Sequence, residues 1–327
     1  QGTGERRFTF RQLQELSSKA ASLFRQSGLR RGDRVLLMLP RIPEWWIAML
    51  GLVRLGAVPV PCTPLLTVRD LAFRIETARI TGAITDEAGA LKLEGFAGVR
   101  WQVGEPVSGW NGLDRALREA PACFADAPIR GDAPGMLYFT SATTGAPKMV
   151  LHTQTSYGLA HRVTGSAWLD LRPDDVHWNI ADLGWGKAAW SSFFGPWHQG
   201  ACVFVLDARG KFDPGLTLET LAQFPITTCC APPTALRMLV REKLSAYRFP
   251  RLRHCVTAGE PLNPEVLERW KQATGLTLYE AYGQTETVVQ IGNFRSHGFP
   301  VRPGSMGKAA PGYDLQLVDE HLQPVPD

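Results

Sequence analysis

The sequence lacks any apolar run of the roughly 18 to 20 residues that a membrane-spanning helix needs. It also lacks a marked charge excess: 35 Lys and Arg residues against 31 Asp and Glu residues give a net charge of +4. So small an excess, spread along the chain, argues against a basic surface for nucleic acid or an anionic membrane. We therefore expect no nucleic-acid partner and no transmembrane segment.

Cysteine is scarce and forms no metal-site or disulfide pattern. The six cysteines include no C-x-x-C pair, and Cys229 and Cys230 are adjacent within an apolar run. This pattern favours buried, reduced thiols over structural zinc or a disulfide framework, and hence a reducing compartment. The first residues contain neither a signal-peptide core nor a long Arg- and Ser-rich leader, so we expect a targeting segment to be absent or already removed.

The sequence does contain a regular alternation of short apolar runs and amphipathic stretches. Its 327 residues, 44% of them hydrophobic, suffice for a large core. The alternation predicts an α/β fold with layered, mostly parallel sheets and helices packed on them. A helix that begins at Thr9 and ends at Gly28 comes first, and a βαβ unit over 34–39, 43–56 and 57–60 follows it.

We expect two α/β subdomains, residues 1–130 and 131–327. Residues 86–133 are rich in Gly, Ala, Pro and Glu and have weak periodicity, which predicts an irregular, mobile connection with a short helix near 112–119. The alternation then resumes, with strands expected at 136–140, 148–152, 176–180, 201–206, 226–230, 252–257 and 276–279 and helices at 154–168, 187–197, 216–223, 233–245 and 263–274. Residues 304–327 lose helical periodicity, and their last part, 313–327, predicts a strand, a turn and the start of another strand.

The most informative segment is YFTSATTGAPK, residues 138–148. A predicted strand leads into a loop of threonines, a serine, a glycine and a proline that ends on Lys148. Backbone N–H groups, hydroxyls and one ammonium can together hold a triphosphate, although a polar hairpin between two strands has a similar composition. The Walker pattern does not fit, because Lys148 follows Pro147 and precedes Met149.

This loop resembles the T-S-x-T-T-G-x-P-K phosphate-loop signature of the adenylate-forming superfamily. Asn179–Trp185 resembles the Asp-x-Gly-Trp turn beside the acyl pocket, and Gly259–Pro261 resembles the turn against the adenine. Tyr279–Thr287 and Gly304–Lys308 resemble the Tyr-Gly-x-Thr-Glu motif and the Gly-rich turn after it. Between these motifs, and over essentially the whole chain, the sequence resembles the medium-chain acyl-CoA synthetases.

The resemblance implies a reaction in two steps. A carboxylate attacks the α-phosphate of ATP, giving acyl-adenylate and pyrophosphate, and the thiol of coenzyme A then displaces AMP. It implies ATP, Mg²⁺ and coenzyme A as cofactor and co-substrates, a medium-chain fatty acid or benzoate-like acid as substrate, and the mitochondrial matrix as location. No covalent nucleophile is needed, so positioning and charge neutralisation supply most of the catalysis.

The resemblance also implies the site residues. Tyr282 would lie on the adenine face, Thr285 would reach the α-phosphate, and Glu286 would hold Mg²⁺, which favours oxygen ligands. The remaining nucleotide-binding positions would be Thr140, Ser141, Ala142, Thr143, Thr144, Gly145, Ala146, Pro147 and Lys148 for the phosphates, and Gly259, Glu260, Pro261, Glu280, Ala281, Gly283 and Gln284 around the base. Glu286, Lys148 and Thr285 are the expected catalytic residues. Taken alone, Tyr282 is better interpreted as a sheet-edge aromatic and Glu286 as a solvated acid, but the neighbouring Gly283-Gln284-Thr285 favours the binding roles.

Tryptophans near the Asp-x-Gly-Trp turn are candidates for the acyl pocket. Trp185 and Trp190 are the expected walls, with Trp178 and Phe193 as further candidates. A tryptophan inside a helix is more often part of the core. Asp182 either orients the turn or caps the following helix, and the sequence favours the cap.

The sequence departs from the family pattern in two respects. Ala142 stands where the family has glycine, at a cost of roughly 1 kcal/mol or more if a left-handed backbone is required. We also expect the chain to be most of the large domain, shortened at its front, without the ribose-binding aspartate, the hinge and the C-terminal lid. The alternative is therefore a non-catalytic nucleotide- or acyl-binding remnant. An amino-acid adenylating domain is disfavoured by the Trp185 turn and by the absence of an acid to pair with an α-amino group.

Overall fold

A computed structural model describes residues 4–125, 127–140 and 145–325, and the chain divides into two compact units. Unit 1 comprises residues 1–158, 182–188 and 205–210, and unit 2 comprises residues 159–181, 189–204 and 211–327. The first division thus falls after Gly158, later in the chain than the boundary after residue 130 that the sequence predicts.

The described residues form short strands and helices in alternation. The strands are β1 (Arg34–Met38), β2 (Val58–Pro61), β3 (Gly82–Thr85), β4 (Val99–Gln102), β5 (Asn111–Gly112), β6 (Pro134–Thr140), β7 (Lys148–Thr153), β8 (Val176–Asn179), β9 (Cys202–Phe204), β10 (Thr228–Cys230), β11 (His254–Ala258), β12 (Leu278–Gln284), β13 (Val288–Gly292) and β14 (Lys308–Ala309). The α-helices are α1 (Phe10–Gln26), α2 (Pro43–Leu55), α3 (Val68–Ala78), α4 (Glu87–Lys92), α5 (Leu113–Glu119), α6 (Ser156–Val163), α7 (Gly186–Ala188), α8 (Phe194–His198), α9 (Pro214–Gln223), α10 (Pro233–Leu239) and α11 (Pro264–Thr274). Residues Thr164–Trp168 and Ala189–Phe193 are π-helical, and Leu244–Ala246 and Arg295–His297 are 3₁₀-helical.

Unit 1 is built on a parallel five-stranded sheet of order β2-β1-β3-β4-β5. The strands of the predicted βαβ unit are confirmed, since β1 and β2 are almost fully buried and pair in parallel. The first helix begins as predicted at Thr9, whose side chain and that of Gln12 form a capping box.

The expectation of an irregular connection over 86–133 is wrong for residues 87–119. This stretch contains α4, β4 and β5, which extend the sheet, as well as the predicted short helix, α5. The strand signal is weak because β4 buries only Trp101 and Gln102. Gln102 satisfies its side chain locally by donating to the Glu105 carbonyl and accepting from the Val107 N–H, so a polar residue occupies a core position.

An antiparallel hairpin of β6 and β7 completes unit 1. Leu137 and Phe139 of β6 belong to the same buried cluster as Val58 and Val60 of β2. Because the hairpin packs on this core, residues 131–158 belong to unit 1.

Unit 2 is built on a seven-stranded sheet of order β14-β13-β12-β11-β10-β8-β9. Its strands from β12 to β9 are parallel, and β13 and β14 join antiparallel at the other edge. The mostly parallel α/β fold is thereby confirmed. In the C-terminal segment, the predicted strand, turn and second strand reduce to a single bridge between Val318 and Pro324 around a turn.

All six cysteines are free, with Cys123 and Cys202 exposed and the others buried. Within the described ranges, no helix is long and apolar enough to cross a membrane.

Candidate active site

The two ends of the predicted phosphate loop face each other across the hairpin of unit 1. Thr140 at the end of β6 lies opposite Lys148 at the start of β7, and the Lys148 side chain is exposed. Gly145 has φ +120, a conformation that L side chains rarely adopt, although a Cβ there would meet no atom of the described residues within 4 Å. The predicted phosphate ligands Ser141, Ala142, Thr143 and Thr144 lie outside the described residues.

Asp182 orients the turn before α7 instead of capping that helix, which corrects the sequence prediction. One carboxylate oxygen accepts from the Gly184 N–H at 2.7 Å, and the other accepts from the Thr63 hydroxyl at 3.1 Å. Both donors lie outside α7, which begins at Gly186. A Cβ on Gly184 would collide with the backbone of Cys62 and Thr63, so this turn lies directly against the carboxyl end of β2.

The turn presents Trp185 at a small cleft in unit 1. Its side chain is 54% exposed. The cleft has a volume of about 70 Å³ and is lined by Pro61, Cys62, Thr63, Leu66, Arg74, Phe139, Gly184 and Trp185. This is well below the roughly 300–1,000 Å³ of a pocket for a whole drug-sized ligand.

Two side chains determine the chemistry of this cleft. The Arg74 guanidinium lies 5.1 Å from the centre of the Phe139 ring, a distance that permits a cation–π interaction. Burial raises the pKa of the Cys62 thiol to about 12. The thiol therefore stays protonated at neutral pH and is not a nucleophile.

In unit 2, the turn Gly259–Pro261 follows β11 and is held from two sides. Gly259 has φ +110. On one side, Arg237 of α10 donates to the Glu260 carboxylate at 3.0 Å and to the Pro261 carbonyl at 3.4 Å. On the other side, the N–H of Leu262 donates to Glu280 of β12 at 3.0 Å.

Glu280 has a buried carboxyl group of which only one oxygen has a hydrogen-bond partner among the described residues. Its side chain is 8% exposed, and burial raises its pKa, opposed by the hydrogen bond from Leu262. The second oxygen, Oε2, has no hydrogen-bond partner among the described residues. A buried acceptor of this kind is costly unless a donor reaches it.

The hairpin of β12 and β13 presents the predicted Tyr-Gly-x-Thr-Glu residues. Tyr282 is exposed to 39%, Thr285 is partly buried, and the Glu286 side chain is exposed. No ion pair to Glu286 is found among the described residues. The Thr287 N–H donates to the Gln284 carbonyl at 3.2 Å and closes the turn.

The end of this turn is strained. Val288 has φ +63 and is buried, which is unusual for a β-branched residue. Its carbonyl accepts from the Thr287 hydroxyl at 3.3 Å, and the Tyr313 hydroxyl donates to the Thr287 carbonyl.

Trp190 lies in the packed interior of unit 2, behind the same motif. It is 4% exposed, and its indole lies close to where a Cβ on Gly283 would be. Trp178 and Phe193 are buried as well, at 1% and 3% exposure. The acyl-wall role predicted for these three residues therefore remains a prediction, whereas Trp185 is accessible.

The Gly-rich turn Gly304–Lys308 packs on the end of β13. A Cβ on Gly307 would collide with the Gly292 carbonyl, and the Asn293 side chain donates to the Ser305 carbonyl at 3.0 Å. Lys308 then begins β14. The turn thus fixes the edge strand beside the Tyr282 hairpin.

Within the described ranges, no cluster of three or more His, Cys, Asp and Glu side chains could hold a metal ion by itself. Glu286 offers a single exposed carboxylate. One carboxylate combined with substrate phosphates and water is how proteins commonly hold Mg²⁺, so Glu286 fits the predicted ion.

Several residues of these sites were not predicted from the sequence. Thr63 follows a buried parallel strand, and ligand-binding residues often lie at the carboxyl ends of such strands, so a signal existed. For Arg74, Arg237 and Val288 there was none, because their contacts depend on segments far apart in the chain or on a backbone angle.

The comparisons with known proteins agree with these motifs. A family model described as AMP-binding enzyme matches residues 2–327. The chain is 44% identical over 334 residues to the acyl-coenzyme A synthetase ACSM3, mitochondrial, of Mus musculus, covering 99% of this chain and 57% of the relative. It is 43% identical to ACSM4, mitochondrial, of Rattus norvegicus, covering 97% of this chain and 56% of the relative.

A solved structure, the anthranilate CoA ligase AuaEII in complex with anthranoyl-AMP, is similar with a TM-score of 0.91 and 28% identity. The similarity covers 98% of this chain and 63% of that one. The chain thus spans little more than half the length of the curated relatives it matches.

Proposed function

Because the chain belongs to the family of AMP-binding enzymes, we propose that it provides the nucleotide- and acyl-binding part of an acyl-CoA synthetase. The proposed substrate is a medium-chain fatty acid or a benzoate-like acid, which ATP activates to an acyl-adenylate. Coenzyme A then accepts the acyl group and releases AMP. Relatives named mitochondrial support the mitochondrial matrix as its location.

The observation that carries the proposal is the β12–β13 hairpin. It exposes the Tyr282 ring on β12 and the Glu286 carboxylate in the tight turn that follows this strand. The buried Oε2 of Glu280, which has no hydrogen-bond partner among the described residues, lies on the same strand as Tyr282. The aromatic face of Tyr282 suits a nucleotide base, and the exposed carboxylate of Glu286 suits a cation bound to phosphate. The acceptor oxygen of Glu280 suits the exocyclic amino group of the base.

Each proposed role follows from the chemistry of the side chain. The Tyr282 ring would stack on the adenine, and Glu280 Oε2 would accept a hydrogen bond from its amino group. Thr285 would donate to the α-phosphate, where charge develops as the carboxylate attacks. In unit 1, the Lys148 ammonium and Thr140 hydroxyl would neutralise and orient the β- and γ-phosphates, which leave as pyrophosphate.

Mg²⁺ would be held by Glu286 together with the phosphates, and when bound it neutralises charge on the triphosphate. The cleft beside Trp185 would take part of the acyl group. The buried thiol of Cys62 takes no part in the chemistry, because its raised pKa keeps it protonated.

Carboxylate-dependent exchange between ATP and pyrophosphate tests the proposal directly. The chain would be assayed with Mg²⁺ and hexanoate, octanoate or benzoate, and we expect exchange with at least one of them. Glu286→Gln should lower the exchange rate at a given Mg²⁺ concentration, whereas Glu268→Gln, an exposed substitution on α11, should not.

Binding without exchange would have a distinct meaning. If the folded chain binds ATP but supports no exchange with any of the three acids, it is a nucleotide-binding remnant without adenylation activity. If it binds no nucleotide, the proposal is wrong for this chain.

A further inference from the structure

We propose that Arg237 is a positioning residue for the nucleotide base, acting through the turn Gly259–Pro261. The inference rests on the proposed function, since it concerns the base site of that same enzyme. Arg237 itself need not touch the nucleotide, because it holds the turn that would contact the base.

The contacts of Arg237 reach both the side chain and the backbone of this turn. Its Nη2 donates to Glu260 Oε2 at 3.0 Å and to the Pro261 carbonyl at 3.4 Å. Its own helix, α10, begins just after β10. The turn is thereby tied to a neighbouring element of the sheet in unit 2.

The turn would be poorly defined without such contacts. Gly259, at φ +110, has no Cβ to restrict its backbone, and Gly259, Glu260 and Pro261 are all exposed. No core packing fixes exposed residues. The Leu262 N–H bond to Glu280 holds the far end of the turn, and Arg237 holds its middle.

The chemistry of arginine suits this task. Its planar guanidinium can donate to a carboxylate and a carbonyl at once, in a fixed geometry. A lysine is a single charged point on a flexible stem, so it would keep the attraction to Glu260 but not both directed bonds. Lysine should therefore restore only part of the effect.

The test measures AMP and ATP binding to the full chain by calorimetry, beside the KM for ATP and kcat of exchange. Arg237→Gln should weaken the binding of AMP and of ATP and raise the KM for ATP about three- to ten-fold, with kcat nearly unchanged. This size is expected for the loss of a partly exposed ion pair and one hydrogen bond. Arg237→Lys should fall between Gln and wild type. Arg241→Gln is the matched control, because Arg241 is exposed just beyond the end of α10.

A double-mutant cycle with Glu260→Gln separates positioning from general destabilisation. If the pair acts through the turn, Arg237→Gln should have a smaller effect on AMP binding in the Glu260→Gln background. Circular dichroism and thermal unfolding would verify folding, and Glu260→Gln alone tests the same contact should Arg237→Gln fail to fold.

The outcomes distinguish the two levels of the proposal. Nucleotide binding by wild type, unchanged in Arg237→Gln and Glu260→Gln, would overturn the role of Arg237 and leave the proposed function intact. Absence of nucleotide binding by wild type would overturn both. A fall in kcat without a change in binding would also contradict the positioning role.

Discussion

The carbonyl oxygen of Val288 occupies space that a side chain at Gly283 would need. The two residues belong to adjacent strands of one hairpin, whose register shifts between Tyr282 and Gly283. The indole of Trp190 closes the same space from another direction. Gly283 is therefore required by close packing, and its neighbours Tyr282 and Gln284 take their positions from it.

Gly283→Ala should destabilise the chain by about 1–3 kcal/mol, because the added methyl group overpacks a filled site. It should also weaken AMP binding, since the β12–β13 turn must shift. Urea denaturation and calorimetry would measure the two effects. Gly4→Ala, where a Cβ would meet no atom within 4 Å, should change neither, and an equal loss in both variants would contradict the packing argument.

At position 288 we expect a glycine substitution to leave the chain more stable than an alanine substitution. Either substitution removes a buried side chain, but only glycine relieves the strain of φ +63. Val288→Gly should therefore be more stable than Val288→Ala by about 1 kcal/mol, the reverse of the usual order within a strand. Unfolding free energies of the two variants decide the matter, and a less stable glycine variant would show that Val288 carries no strain.

Asp182 should be important for the turn that presents Trp185. Asp182→Ala removes the acceptor for the Gly184 N–H and the Thr63 hydroxyl, at an expected cost of about 1–3 kcal/mol. Thr63→Val removes only one of these bonds and should cost less. Both should raise the KM for the carboxylate more than the KM for ATP, and equal changes in the two constants would contradict a role confined to the acyl side.

Glu280 should lower the stability of the folded chain at neutral pH and strengthen AMP binding. Its pKa is raised by burial, so the folded state favours the protonated form and loses stability as the pH rises above the carboxyl's ordinary pKa. Glu280→Gln should then be more stable than wild type at pH 7, with the difference shrinking as the pH falls. We also expect weaker AMP binding, and a variant less stable than wild type at pH 7 would refute the first expectation.

Two buried histidines should make unit 2 sensitive to acid. His177 and His254 lie on either side of Thr228 in the sheet, and burial lowers their pKa values to about 3 and about 4. His254 further lowers the pKa of His177, and nearby Asp175 opposes this. An unfolded histidine takes up its proton near pH 6.5, so the folded state keeps its full stability above that pH and loses it as the pH falls towards 4.

The expected loss at pH 5 is roughly 2 kcal/mol for each histidine. Chemical denaturation at pH 7 and pH 5 would measure it. His177→Asn and His254→Asn should each reduce the difference between the two pH values, whatever their effect at pH 7. A difference that persists unchanged in both variants would assign the acid sensitivity to other groups.

Much of the fold follows from sequence pattern alone. Buried parallel strands such as β1 are continuous apolar runs, and α1 has its cap at Thr9, so their positions are encoded locally. Strand β4 is not, because its buried Gln102 interrupts the apolar pattern and forms its hydrogen bonds with the loop just after the strand. A polar residue satisfied in this way hides a buried strand from an apolar pattern.

The candidate site likewise contains residues that the sequence predicts and residues that it does not. Tyr282, Glu286 and Lys148 could be named because each lies in a motif that is contiguous in the chain, and their exposure is compatible with the predicted roles. The role of Asp182 could not be decided from sequence, because the deciding donor, Thr63, is remote from it in the chain. The same holds for Arg237, whose partner Glu260 lies on another element.

The open space around Gly145 has a consequence for handedness. Because a Cβ there would touch none of the described residues within 4 Å, and φ is +120, the backbone angle is what restricts this position within the described part of the chain. An L-alanine would have to adopt a disfavoured backbone, whereas a D-alanine, for which positive φ is the ordinary region, would fit without moving a neighbour. In a semisynthetic chain, position 145 should therefore tolerate D-alanine better than L-alanine.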